Sequence, residues 1–333
     1  MKKPIVAITM GDAAGVGPEL IVKALTKSAV RQRCRPLVVG DPTVMERAAR
    51  IVESGLRFRA IASLGGARFD PACVDVLRPE GLELGAVVLG KLDPALGRAA
   101  ALCMDRACEL AMAGQIGGVV LAPMNKQAFH LAGYHYLDEL EYLAEVTRSA
   151  ETYLLGTVSP ELWTVAVTTH LPFRAIPDLI RKERVLGYTK RLHDVLSRVG
   201  IEDPRIAVAA LNVHAGEGGL FGREEIDEIG PAVGEARALG LSVEGPCPAD
   251  TVFVRARAGE FHGVVCMYHD QANIARKLLA TRRGATIYLG LPVVCATTAH
   301  GTAFDIAGRG IAETGSMEDA LTYASLLAKE VRS

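Results

Sequence analysis

The feature that most constrains this chain is a recurring pair: a short β-branched apolar run, then a helical stretch. Residues 5–10, 37–40, 118–122, 164–169, 206–212, 264–268 and 286–289 form the runs, and most read as strands buried on both faces. Residues 18–26, 43–53, 98–113, 183–198, 223–239 and 317–329 carry helical spacing between or after them. Strand and helix alternating at this distance require crossover connections, so the pattern predicts an α/β protein with a largely parallel sheet. Within 98–113, Ala101, Met104, Cys108 and Ala111 recur at helical spacing, which is a packing face rather than a ligand box. No repeat, low-complexity tract or Pro/Gly/Ser linker divides the 333 residues. Two domains in a chain of this length must therefore be tightly joined, with room for the chain to cross between them more than once.

Composition narrows the class of function. The chain is 50% hydrophobic and 23% charged, with 37 Lys plus Arg against 38 Asp plus Glu. That balance excludes disorder and argues against a nucleic-acid partner. No apolar run approaches the roughly 18 residues of a membrane span, and the apolar stretch after Lys2 and Lys3 stops at Gly11, too short for a signal peptide. The expectation is a soluble cytoplasmic protein with no membrane partner. The 7 cysteines are odd in number, scattered and without a C-x-x-C pair, so buried free thiols are expected.

Chemistry concentrates where strands end. The first strand runs into Gly11, Asp12, Gly15, Gly17 and Pro18, a turn able to present N–H groups to an anion or simply to pack a helix. No Lys-Ser/Thr follows, so it is not a Walker loop, and Asp12 and Glu19 are pocket candidates. Of the eight histidines, His170, His214 and His269 each end a buried run and enter a loop, whereas His130, His135, His193 and His262 lie in helical or polar contexts. In a parallel sheet, carboxyl ends of strands are where α/β proteins place their sites. Each of the three alone is equally a core or loop histidine. Together they suit a catalytic divalent ion such as zinc, cobalt or manganese. Asp250, Asp270 and Lys126 stand just beyond strands, where a carboxylate can orient a ligand or pass a proton. Residues 300–310, rich in Gly and Ala around Asp305, allow close backbone approach by a nucleotide or equally start a helix.

Taken in order, these segments closely resemble the 4-hydroxythreonine-4-phosphate dehydrogenase family of vitamin B6 biosynthesis and its catabolic relatives. The carrying motifs are residues 11–19, 122–126, 169–172, Asn212-x-His-Ala-Gly-Glu-Gly-Gly with Glu224-Glu225, 245–251, Met267-Tyr-His-Asp-Gln271, 289–292 and 300–308. The resemblance implies an isocitrate/isopropylmalate dehydrogenase-like fold, with two α/β/α domains around a cleft in a homodimer. It places residues 1–125 plus 300–333 in a domain contributing to the NAD site and 126–299 in a domain with the metal ligands and dimer interface. His300, Gly301, Thr302, Ala303 and Asp305 fall on the loop that holds the adenosine side of NAD. Asp305 favours NAD over NADP, while Arg309 leaves the second open. The family's divalent metal (Zn, Co, Mn or Mg) is bound by three histidines shared across the dimer interface, which fall on His170, His214 and His269. Its chemistry is oxidation of a small-molecule β-hydroxy acid by NAD with loss of CO₂, the ion acting as Lewis acid. Asp250, Asp270 and Lys126 are then the candidates for proton handling, and Lys277 matches a substrate-contacting lysine.

Departures from the family pattern bear on the substrate. Where enzymes for phosphorylated substrates carry Gly-His-Thr-Glu, this chain has Asp138-Glu139-Leu140-Glu141, and the substrate-binding Asn and Arg fall on Thr286 and Cys295. A carboxylate repels a phosphate dianion, and Cys cannot replace an arginine fork. On this count an unphosphorylated acid, such as a cis-dihydrodiol carboxylate, is slightly preferred, although Arg276, Arg282 or Arg283 offers a substitute charge. A non-catalytic binding protein on the same scaffold is the third reading, opposed by the retained histidines and nucleotide loop.

Overall fold

A computed structural model describes residues 3–150, 152–159, 162–279 and 283–328. The strands are β1 (Ile5–Thr9), β2 (Arg35–Val39), β3 (Arg57–Ile61), β4 (Cys73–Leu77), β5 (Gly118–Leu121), β6 (Tyr153–Ser159), β7 (Leu162–Thr168), β8 (Ile206–Ala209), β9 (Val243–Cys247), β10 (Gly263–Tyr268), β11 (Ala285–Leu289) and β12 (Cys295–Thr298). Helices are α1 (Gly17–Leu25), α2 (Ser28–Arg33), α3 (Pro42–Ile51), α4 (Pro94–Met112), α5 (Lys126–Leu131), α6 (Glu139–Thr147), α7 (Ile176–Leu179), α8 (Lys182–Arg198), α9 (Gly230–Ala238), α10 (Ala249–Arg257), α11 (His269–Leu279) and α12 (Gly315–Leu327).

The chain forms two compact units, residues 1–152 with 284–333, and 153–283. This differs from the expected division at 125/126 and 299/300. The physical reason is strand pairing: β12 lies parallel to β5 through Cys295–Val119 and Ala296–Val120, and β11 pairs with β12, so residues 284–299 complete the first unit's sheet. On the helical side, Tyr142 of α6 donates its hydroxyl to Asp105 of α4 at 2.6 Å, which ties residues 139–147 to the same unit.

In the first unit the strands run β3-β4-β2-β1-β5-β12-β11, parallel except that β11 is antiparallel to β12. Its helices start where the residues dictate. Asp41 and Asp93 accept from Thr43 N and Ala95 N, each ahead of a proline at the first helical position. Asp138 accepts from Glu141 N while Glu141 accepts from Leu137 N at 2.5 Å, so Asp138 to Glu141 form a reciprocal cap on α6.

In the second unit the order is β6-β7-β10-β8-β9, with β6 antiparallel to β7 and the rest parallel. Val264 and Cys266 of β10, Ala207 and Ala209 of β8, and Val252 and Ala256 of α10 close into one apolar core. The strands of each unit are thus mainly parallel with one antiparallel pair. Six of the cysteines are buried thiols and Cys73 is half-buried. Among the described residues no helix is long and apolar enough to cross a membrane.

Candidate active site

Strands β7, β10 and β8 are parallel neighbours, so their carboxyl ends share one sheet edge. His170 follows β7, His269 follows β10 directly, and His214 follows β8. His269 does not enter a loop as expected: it is the first residue of α11, because the strand feeds the helix without a turn. The run expected to 212 ends as a strand at Ala209, where Ala210 N still donates to Cys247 O before the chain leaves the sheet.

His170 and His269 stand side by side with ring centroids 5.6 Å apart. They line a cavity of about 230 Å³ with Thr168, Thr169, Phe173, Tyr268 and Asp270. The Nδ1 atom of His269 is 2.7 Å from Asp270 Oδ1. A carboxylate on one ring nitrogen fixes the ring and leaves the other nitrogen for an ion, the usual outer shell of a metal-binding imidazole. Asp270 is therefore engaged with His269 rather than standing apart as a proton acceptor. Backbone geometry is equally specific, since His170 has φ 38° and His214 φ 50°, values that L residues adopt at a cost of about 1–3 kcal/mol. Within one chain His214 does not join the pair: among the described residues no three His, Cys, Asp or Glu side chains are grouped to hold an ion. The two imidazoles, one of them held by Asp270, offer nitrogen donors of the kind a divalent metal takes, and they are two of the ligands such an ion needs.

Other candidates lie as follows. Asp250 is exposed in the first turn of α10, and Lys277 is exposed on α11. Exposed Lys126 begins α5 and donates to Leu137 O at 3.5 Å. His300, Gly301 and Asp305 are exposed on the loop before α12, with Thr302 and Ala303 half-buried and Ala303 at φ 42°. This loop is pinned to the glycine turn after β1: Val16 N donates to Thr302 O, and a Cβ on Gly15 would lie 2.9 Å from Thr302. Glu19, expected in the pocket, is instead buried, and its two oxygens accept from Gly308 N at 2.6 Å and Gly310 N at 2.8 Å. It is a loop anchor that sequence reasoning missed.

The substrate positions of the first unit meet closed packing. Thr286 is half-buried opposite Thr297, while Leu140 is 6% and Cys295 0% exposed. Those two side chains pack the interior and give a ligand no surface, which corrects the expectation of contacts there. Glu139 is half-buried and lies close enough that, after burial itself, its charge helps push both the Tyr288 hydroxyl and the Cys295 thiol upward. Of the substitute cations, Arg276 donates through Nε and Nη2 to Asn273 Oδ1, Arg283 is exposed, and Arg282 lies outside the described residues. A further apolar cavity of about 310 Å³ sits among Lys3, Arg31, Arg35, Phe69 and Cys73, at the amino ends of β2 and β4, away from every predicted residue.

Two α/β units, each built on mainly parallel strands, place the chain in the isocitrate dehydrogenase-like fold class. Comparison with known proteins makes the class specific. The family model described as Pyridoxal phosphate biosynthetic protein PdxA matches residues 32–324, and the chain belongs to this family. It is 45% identical to the D-threonate 4-phosphate dehydrogenase of Cupriavidus necator, over 98% of this chain and 97% of that one. Among solved structures, a 4-hydroxythreonine-4-phosphate dehydrogenase from Burkholderia phymatum superposes with TM-score 0.83 at 41% identity, covering 100% of both chains. A terephthalate 1,2-cis-dihydrodiol dehydrogenase from Burkholderia xenovorans is more distant, at TM-score 0.69 and 29% identity over 98% of each chain. The protein is therefore a dehydrogenase acting on a CH–OH group. The expectation of an unphosphorylated substrate is not favoured, because the more similar relatives are the ones named for phosphorylated compounds.

Proposed function

We propose that the protein oxidises D-threonate 4-phosphate, or a closely similar phosphorylated β-hydroxy acid, with NAD and a divalent metal, and that the β-keto acid formed then loses CO₂. The hydroxyl carbon gives a hydride to NAD and its oxygen gives up a proton; breaking the bond to the carboxylate then releases CO₂ and leaves the electron pair as an enolate, which takes up a proton on carbon to give a three-carbon keto phosphate. The observation carrying this reading is the His170–His269 pair with Asp270 behind it at the carboxyl ends of adjacent strands, in a chain whose relative at 45% identity is named for that substrate. A bound divalent ion would supply Lewis acidity to the hydroxyl and later to the carbonyl oxygen.

His170, His214 and His269 are the proposed ligands, Asp270 orients His269, and exposed Asp250 and Lys126 are the groups available to take or return a proton. The loop from His300 to Asp305, anchored by Glu19, is the proposed nucleotide loop. Lys277 offers charge to the phosphate. A homodimer fits this arrangement, since a second copy would bring His214 to the pair that one chain leaves incomplete.

The test is NADH formation by purified protein with Zn²⁺, Co²⁺ or Mn²⁺. D-threonate 4-phosphate would be run beside 4-phosphohydroxythreonine and a panel of unphosphorylated β-hydroxy and cis-diol acids. Turnover of a phosphorylated compound that disappears in His269→Ala supports the reading. Turnover confined to unphosphorylated acids, or full activity of the His269→Ala variant without metal, refutes it.

A further inference from the structure

The motif Glu224-Glu225, ten and more residues beyond His214, has no part in the chemistry above. Its role follows from the backbone it holds. From His214 to Gly219 the chain is left-handed throughout, with φ of 50°, 55°, 80°, 44°, 66° and 101°. Three of these residues, His214, Ala215 and Glu217, have a Cβ, and each costs roughly 1–2 kcal/mol in this conformation. Such a run persists only where its surroundings over-determine it.

Glu225 does this from the first residue of a widened helical turn, Glu225–Ile229. Its carboxylate is buried, with Oε1 accepting from Leu211 N at 2.8 Å and Asn212 N at 2.7 Å, and Oε2 accepting from Asn212 Nδ2 at 2.9 Å. The remaining proton of that amide goes to Glu224 Oε2 at 2.6 Å. On the far side, a Cβ on Gly216 would lie 2.8 Å from Glu225 Oε2, so the middle of the left-handed turn rests on the same carboxylate. Glu225 thus holds the chain two and three residues before His214 by hydrogen bonds and lies against it two residues after. Both its oxygens are consumed, which leaves it no acid–base role.

We infer that Glu225 is a positioning residue that fixes the direction in which His214 is presented to the metal. The inference rests on the metal reading proposed above, and the experiment separates the two. Co²⁺ affinity and the visible spectrum of the Co²⁺-loaded full-length protein are measured for the wild type, Glu225→Gln, His214→Ala and the double variant, with the melting temperature of each metal-free protein. Outer-shell partners of metal ligands carry about 10–100-fold in affinity, so Glu225→Gln should weaken Co²⁺ binding by at least about tenfold and shift the spectrum toward that of His214→Ala. In the His214→Ala background the Glu225 substitution should add nothing, the signature of a residue acting through another.

Unchanged Co²⁺ affinity and spectrum with a lowered melting temperature, or additive effects in the double variant, overturn the inference. If His214→Ala itself leaves Co²⁺ binding unchanged, the metal reading falls and this inference falls with it. Should Glu225→Gln fail to fold, Gly216→Ala carries the test, because its methyl presses on Glu225 Oε2 at a residue with φ 80°.

Discussion

Asp12 is a buried carboxylate whose charge the fold opposes strongly enough to be read in a melting curve. Its Oδ1 accepts from Ala14 N at 2.8 Å, while Oδ2 is buried and finds no partner among the described residues. Burial, against the opposing Ala14 bond and with a smaller push from Asp93, raises its pKa from 3.8 to about 6. At about 1.36 kcal/mol per pH unit this favours the neutral over the charged form by about 3 kcal/mol. The sign is the reverse of a salt-bridged aspartate. The folded state holds the proton more tightly than the unfolded chain, so the contribution is fully present below 3.8 and is lost as pH rises through about 6. About 2 kcal/mol of that loss falls between about pH 4.5 and pH 7.5. With about 2.1 cal/mol/K of unfolding entropy per residue, 333 residues give about 0.7 kcal/mol/K, so the loss corresponds to about 3 °C. Asp12→Asn keeps the shape and the Ala14 bond but does not titrate. Its melting temperature minus that of the wild type, followed by scanning calorimetry, should therefore rise by about 3 °C across that range. A difference that stays constant with pH would refute the reasoning, because it would mean that Oδ2 has a partner and the carboxyl is already ionised.

Two substitutions test other parts of the first unit. Glu19→Gln replaces one acceptor oxygen with a donor facing the N–H of Gly308 or Gly310, at a cost of about 1–3 kcal/mol in stability. The KM for NAD should rise with kcat nearly unchanged, and steady-state kinetics showing the opposite split would remove Glu19 from its anchoring role. Cys295→Arg brings an arginine to the position where the family carries one. Because that side chain is 0% exposed here, the variant should melt lower or fail to fold rather than gain on a phosphorylated substrate. A stable variant with raised kcat/KM would show that strand β12 can open to substrate.

The central strands were legible because burial on both faces leaves little choice of residue: β1, β5, β8 and β10 are apolar, small or hydroxylated throughout. The edges were not. In β3, Arg57 and Arg59 interrupt the pattern, and β9 contains Gly245 and Pro246, so neither reads as a strand without its partner. The division into units was misplaced for a related reason. Strand β12 is only four residues long, and only its pairing with β5 says which sheet it completes. Of the three histidines that follow buried runs, the fold brings His170 and His269 side by side, and the proposed site rests on that pair. The left-handed turn after Asn212 was not legible, since only three of its six residues are glycine, and the carboxylate that holds Asn212 comes from Glu225, outside the segment.

The substrate question turns on the same distinction between what a position carries and where it sits. Reading Cys295 as a lost phosphate partner assumed an open position, but here it is the buried first residue of β12, paired with Val119 and Tyr288. Likewise Glu139 and Leu140 occupy the first turn of a helix that Asp138 and Glu141 cap, so their identities answer to α6 as well as to any ligand. Two departures from the family pattern therefore fall at positions that the packing of the first unit also constrains, and they are no evidence against a phosphate held by other residues. In the second unit, Lys277 and Arg276 lie on α11, the helix that His269 begins. Arg276 is turned inward onto Asn273 and burial lowers its pKa, whereas Lys277 is exposed. At about 1.5 Å rise per residue, Lys277 stands about 12 Å along that helix from His269. In the function proposed above, this one helix would carry both an imidazole for the reacting end of a short acid and an exposed lysine for its phosphate end. This placement, more than the first unit's altered residues, bears on what the enzyme accepts.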